Sequence, residues 1–206
     1  MAYAHFTLEQ ISKTFALTIG EGHDLFAAAP RVEASALLSG YLEHTVPLAL
    51  AIATEKAKSE LIIAPILVEL RHHLNNQISL FSGVEFPVAP DQGLNGVCDF
   101  LISRSRQQIY LSCPVVALVE AKNDSIKSGL AQCMAEMIAA RMFNEREGSG
   151  VEIVYGAVTS GSQWKFLKLQ SDTLFVDVRD YFIDNLPKIL GILVEMVSEK
   201  GTGEIG

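Results

Sequence analysis

The run Val115 to Val119 is apolar at every position and closes on Glu120-Ala121-Lys122; no other feature constrains the fold as tightly. A strand without polar alternation has to be covered on both faces, so it belongs at the centre of a sheet with helices above and below. Before it, Gln77 to Val88 and Gly93 to Ser103 read as strands, and Arg104 to Ser112 as a polar connection. After it, Asp124 or Ser125 is placed to cap a helix running to about Glu145. Then follow a strand from Val151 to Thr159, the turn Ser160-Gly161-Ser162, and a partner strand from Gln163 to Leu169. A short strand at Leu174 to Val178, a closing helix from about Tyr181 to Lys200 and a frayed tail from Gly201 to Gly206 complete the pattern.

The first part of the chain has a different period. Thr7-Leu8-Glu9-Gln10 forms a capping box that opens a helix to about Leu17. Gly20-Glu21-Gly22 reads as a loop, and not as a phosphate cradle, because no strand precedes it and no Gly-Lys-Ser/Thr follows. Val32 to about Asn75 is helical in pattern, with Pro47 and Pro65 marking kinks or boundaries. The expected fold class is therefore α/β, a mixed central sheet flanked by helices. One domain is expected over residues 1–206: a helical extension at 1–58, a core at 59–170, and a C-terminal strand, helix and tail at 171–206.

Composition narrows the function classes. About half of the 206 residues are apolar and 19% are charged, which excludes a disordered chain. The net charge of -8 argues against a protein that coats nucleic acid, since such proteins draw their affinity from Lys and Arg at phosphates. No apolar run approaches the ~18 residues of a membrane span, and Met1-Ala2-Tyr3-Ala4-His5 has no secretory character. Cys98, Cys113 and Cys133 are odd in number and widely spaced, as expected of free thiols in a reducing cytoplasm.

Two strand positions carry the chemistry. Asp99 follows Gly96-Val97-Cys98 and precedes Phe100-Leu101-Ile102, where a carboxylate is costly unless paired or metal-bound. Glu120 and Lys122, two residues apart on one strand, share a face. If the two strands pair, Asp99 and Glu120 converge into an oxygen-rich site for Mg²⁺ or Mn²⁺, with Lys122 beside it. A third acid from the preceding helix is Glu60 or Glu69. They face opposite ways on the helix, and Glu60 shares its side with Ile63, Ala64, Leu67 and Leu74, so Glu60 is the better candidate.

Gly96-Val97-Cys98-Asp99 followed by Glu120-Ala121-Lys122 resembles the motif of the PD-(D/E)XK nuclease superfamily, the restriction-endonuclease-like fold. Ser59 to Leu67 is similar to the first core helix of that family, and Val154 to Phe166 to the strand–turn–strand that often follows its core. The resemblance covers about Ser59 to Phe166. It implies an αβββαβ core and a Mg²⁺- or Mn²⁺-dependent phosphodiesterase acting on DNA. Asp99 and Glu120 would be ligands, joined by Glu60 and the Ala121 carbonyl, and Lys122 the catalytic lysine. Cys98 stands where the family often has proline. Some members carry a glutamine on the following helix with tyrosine four residues on; Gln132 matches the first, but Glu136 stands at the second position.

Arg104 and Arg106 are the candidates for phosphate contact. Apolar residues of the helical start and of the closing helix (Ile183, Leu186, Ile189, Leu190, Ile192, Leu193) offer surface for a homodimer or for a place in a larger complex. The rival reading is a nuclease-like scaffold kept for nucleic-acid or protein binding without turnover. A third, an enzyme for small phosphorylated ligands, lacks a Gly-rich loop after a strand.

Overall fold

The computed structural model describes residues 2–123 and 125–198. Its centre is one mixed sheet of eight strands. β1 (Thr18–His23), β7 (Thr173–Asp177), β6 (Gln163–Gln170), β5 (Ile153–Thr159), β4 (Val115–Ala121), β3 (Val97–Ser103) and β2 (Ser79–Glu85) lie side by side in that order, and β8 (Tyr181–Phe182) pairs with β6. β4 runs parallel to β5, and β1 parallel to β7; the other pairs are antiparallel. All seven residues of β4 are buried, as its unbroken apolar character requires.

Helices cover both faces. On one lie α2 (Ala36–Ile52), a continuous helical run made of α3 (Glu55–Lys58), a π turn (Ser59–Ile63) and α4 (Ala64–His73), and α6 (Leu186–Val197). On the other, α5 (Ile126–Arg146) packs over β4 and β5, with α1 (Leu8–Thr14) and the turn at Tyr3–His5 against it. Alternate residues of β4 divide between these layers: Ala117, Val119 and Ala121 face α4, while Leu118 faces α5.

Local chemistry explains most boundaries. The capping box at α1 is present, with Gln10 N donating to Thr7 Oγ1 at 3.2 Å and Thr7 N to Gln10 Oε1 at 2.9 Å. The helical pattern of 32–75 is interrupted after Ile52, where Ala53 turns left-handed (φ 54°) and Thr54 caps α3 through Ala57 N. α2 runs through Pro47, whereas Pro65 directly follows the π turn, where its missing N–H interrupts the ladder as the run passes back to α-helix.

Three expectations are corrected. Gly20-Glu21-Gly22 belongs to an edge strand, so residues 1–58 contribute to the sheet as well as to the helical layer. Its signal was not apolar alternation but close approach: a Cβ on Gly20 would stand 2.7 Å from the Phe175 ring. The β2 and β3 segments are shorter than their apolar spans, since Phe86 to Asn95 turn through Ala89 and Leu94. The closing helix begins at Leu186, after β8, and is core rather than interface: Ile189, Leu190, Ile192 and Leu193 are buried against the sheet. Ser125 occupies the cap position of α5 without a side-chain capping bond. Asp124 and the tail at 199–206 lie outside the described residues.

Candidate metal centre

The register of β3 on β4 brings the expected residues together. Phe100 pairs with Val119, so the next step along the ladder sets Asp99 beside Glu120. The strands part here. The Ala121 N–H bonds to Asp99 Oδ2 at 2.8 Å, a side-chain acceptor taking over from the ladder. The gap opens into a cleft of about 270 Å³ lined by Asp99, Ala121, Ser82, Gly83, Ser59 and Glu60, with Glu55 and Lys56 at its helical wall. That wall is the π turn, a local widening of the helix of a kind often found at functional sites.

Glu120 and Lys122 form an ion pair on the α5 side, the Lys122 ammonium against Glu120 Oε1. Lys122 also reaches Gln132 Oε1 at 3.3 Å, and Gln132 Nε2 donates to Glu136 Oε1 at 3.2 Å. The Glu136 carboxyl in turn lies against that of Glu120, which closes a ring of four side chains. Gly129 makes room for it: a Cβ there would stand 2.9 Å from Lys122 Cγ and 2.6 Å from Val158 Cγ1.

Electrostatics follow from burial. Glu136 is fully buried, and desolvation, with the charges of Glu120 and Asp99, raises its pKa well above the usual carboxylate range. Desolvation and the Asp99 charge push Glu120 upward too, against the opposing pull of Lys122. Burial works against the Lys122 ammonium, but the charge and hydrogen bond of Glu120, with Glu55 and Asp99 behind it, prevail and raise its pKa. Lys122 is therefore a cation at neutral pH. Oε2 of Glu120 and Oε2 of Glu136 are both buried and meet no donor. A proton shared between the two carboxyls would satisfy both.

The helix candidates separate clearly. Glu69 turns away to cap α2, accepting from Ser35 N at 2.7 Å and Ser35 Oγ at 3.0 Å. Glu60 stands in the cleft with Asp99, its side chain 62% exposed and 3.5 Å from Lys56. Arg104 and Arg106 are not brought to the carboxylates. They follow β3 at its far end, five or more residues and about 16 Å beyond Asp99. Arg104 is also engaged there, donating to Val197 O and Ser198 O at the end of α6, both at 3.0 Å.

Two residues at the site escaped the sequence reading. Glu136 was visible as the single acid in the apolar stretch Cys133 to Ala140, the same signal that marked Asp99. Lys58 was not: it is buried and ties the helix to the loop after β4, donating to Asn123 O at 2.5 Å and Asn123 Oδ1 at 3.0 Å.

Mg²⁺ is commonly held by one or two carboxylates, with water and substrate oxygens completing its shell. Of the residues expected to hold such an ion, Asp99 and Ala121 line the cleft, and Glu120, paired with Asp99 by register, keeps one buried carboxyl oxygen, Oε2, without a partner. Among the described residues, no group of three or more His, Cys, Asp or Glu side chains is gathered for a metal. Comparison with family models, curated proteins and solved structures returns no match. Among the described residues, no helix is long and apolar enough to cross a membrane.

Proposed function

We propose that the protein is a Mg²⁺- or Mn²⁺-dependent phosphodiesterase that cuts DNA on a restriction-endonuclease-like core. The observation that carries this reading is the meeting of Asp99, Glu120 and Lys122 at the adjoining ends of β3 and β4, with Asp99 bonded to Ala121 N and Lys122 to Glu120. The order α4, β2, β3, β4, α5, β5, with three antiparallel strands and then a parallel one, supports an αβββαβ core.

When bound by Asp99, Glu120 and the Ala121 carbonyl, the metal supplies Lewis acidity for a phosphoryl oxygen and a more acidic water. The remaining work belongs to the chain. Lys122, held charged by Glu120, is a hydrogen-bond donor and a positive charge, not a base. It can orient an attacking water and offset charge growing on phosphate oxygens. Gln132 fixes the Lys122 ammonium from the α5 side, and Glu136 fixes Gln132. Asp99 closes the gap between the strands and keeps the Ala121 segment in place. With a net charge of -8, affinity for DNA has to come through this site or from a partner subunit.

The test is cleavage of supercoiled plasmid and of single-stranded DNA with Mn²⁺ or Mg²⁺, comparing the wild type with Lys122→Ala. The wild type should cut, and the variant should lose about 100-fold or more while still binding Mn²⁺. No cutting of either substrate by the wild type would overturn the reading in favour of a binding scaffold without turnover.

A further inference from the structure

The buried positions of the helical run change their spacing at the π turn. Ile62 and Ile63, then Ile66 and Leu67, then Leu70 are buried, four residues apart as an α-helix requires. Ahead of them the buried pair is Ala57 and Lys58, five residues before Ile62 and Ile63. A regular α-helix continued back from α4 would bury Lys58 and Ser59 instead. The π turn therefore holds one extra residue, and that residue decides what faces the site. Without it Ser59 would take the place of Lys58, and Lys58 would turn about 100° away from Asn123. With it, Lys58 Nζ donates to Asn123 O, next to Lys122, while Ser59 and Glu60 stand in the cleft with Asp99.

Two residues away from the cleft account for the turn. Its wide register is marked by Ala64 N donating to Ser59 O, five residues back. Next comes Pro65. In an α-helix the N–H of residue 65 would serve Leu61 O, but proline has none, and its ring crowds that carbonyl. Thr45 Oγ1 of α2 donates to Leu61 O at 2.9 Å in its stead. The same hydroxyl lies 3.0 Å from Tyr41 O of its own helix, so it bridges the two backbones. A carbonyl displaced by a proline and held by a neighbouring helix keeps the run from closing as regular α-helix.

We propose that Pro65 and Thr45 are positioning residues of the metal centre: they hold the π turn that latches Lys58 to the loop after β4 and sets Ser59 and Glu60 in the cleft. Their effect on cleavage rests on the nuclease reading; their coupling to each other does not. Urea denaturation of the wild type, Thr45→Val, Pro65→Ala and the double variant reads the coupling. Thr45→Val should lower the folding equilibrium constant about fivefold or more in the wild type, where Leu61 O loses its donor. Beside Pro65→Ala, whose N–H can serve that carbonyl, the loss should be less than about twofold. Pro65→Ala should keep or raise the urea midpoint and yet lower kcat for Mn²⁺-dependent plasmid cleavage at least about tenfold, because the cleft wall has turned. A merely structural role would move stability and kcat together. Thr45→Ser, which keeps the hydroxyl, should restore both. Additive effects of Thr45→Val and Pro65→Ala, or a wild-type kcat in Pro65→Ala, would overturn the proposal. Coupling in a wild type that cuts nothing would support the hold on the π turn and overturn the nuclease reading.

Discussion

Replacing Glu136 by Gln should make the stability of this protein much less sensitive to pH. Glu136 is fully buried, its visible partner is Gln132 Nε2 at 3.2 Å, and two further carboxylates stand near it. Its folded pKa is raised, so the folded state holds a proton that the unfolded state releases near pH 4.5. Stability from such a group is complete below the unfolded pKa and is lost as pH rises toward the folded one. Each pH unit in that window costs about 1.4 kcal/mol per group. Glu136 should therefore remove stability from the wild type as pH rises from its unfolded pKa toward its raised folded one. The amide of Glu136→Gln does not titrate, yet it can donate to Glu120 Oε2 and accept from Gln132. The variant should accordingly gain on the wild type with every pH unit inside that window. Urea denaturation at several pH values, with chelator present and the buried Trp164 as fluorophore, measures this directly. A difference between variant and wild type that stays flat from pH 5 to pH 8 would refute the reasoning, because Glu136 would then be titrating alike in both states.

Other outcomes follow from the same geometry. Glu136→Ala removes the partner of Gln132 and opens a cavity, and should cost about 2–4 kcal/mol by urea denaturation at pH 5, where the wild-type carboxyl is neutral. Gly156→Ala would set a Cβ 2.5 Å from Met137 Sδ and 2.8 Å from Cys133 Sγ, and should lower stability by about 1–3 kcal/mol through overpacking between β5 and α5. Arg104→Ala should loosen the end of α6, lowering the melting temperature by a few degrees, and should leave DNA cleavage per folded molecule unchanged.

What could be read from the residues was what local physics decides. An apolar strand that ends in Glu-Ala-Lys can only be central, and β4 is. Asp99 stood out because a carboxylate amid Phe, Leu and Ile needs a reason, and the Ala121 N–H supplies one. Arg104 and Arg106 were candidates for phosphate contact as cations in the loop after β3, and the antiparallel register with β4 places that loop at the end of the strand away from Asp99. β1 was hidden because its pairing rests on backbone contact beside Phe175 rather than on its own side chains. The choice of Glu60 over Glu69 followed from the apolar side of the helix, and Ser35, distant in sequence, accounts for Glu69. The role of Glu136 depends on how closely α5 approaches the sheet, and Gly129 on α5 and Gly156 on β5 allow that approach.

The most direct test of the central claim is a Mn²⁺ titration followed by electron paramagnetic resonance, with wild type, Asp99→Asn and Glu120→Gln side by side. Asp99→Asn keeps an acceptor for the Ala121 N–H and Glu120→Gln keeps the shape of the buried side chain, so each removes charge without emptying space. The wild type should bind one Mn²⁺ per chain, and each variant should bind at least about tenfold more weakly. Equal binding by all three, or none by the wild type, would contradict a metal centre at Asp99 and Glu120.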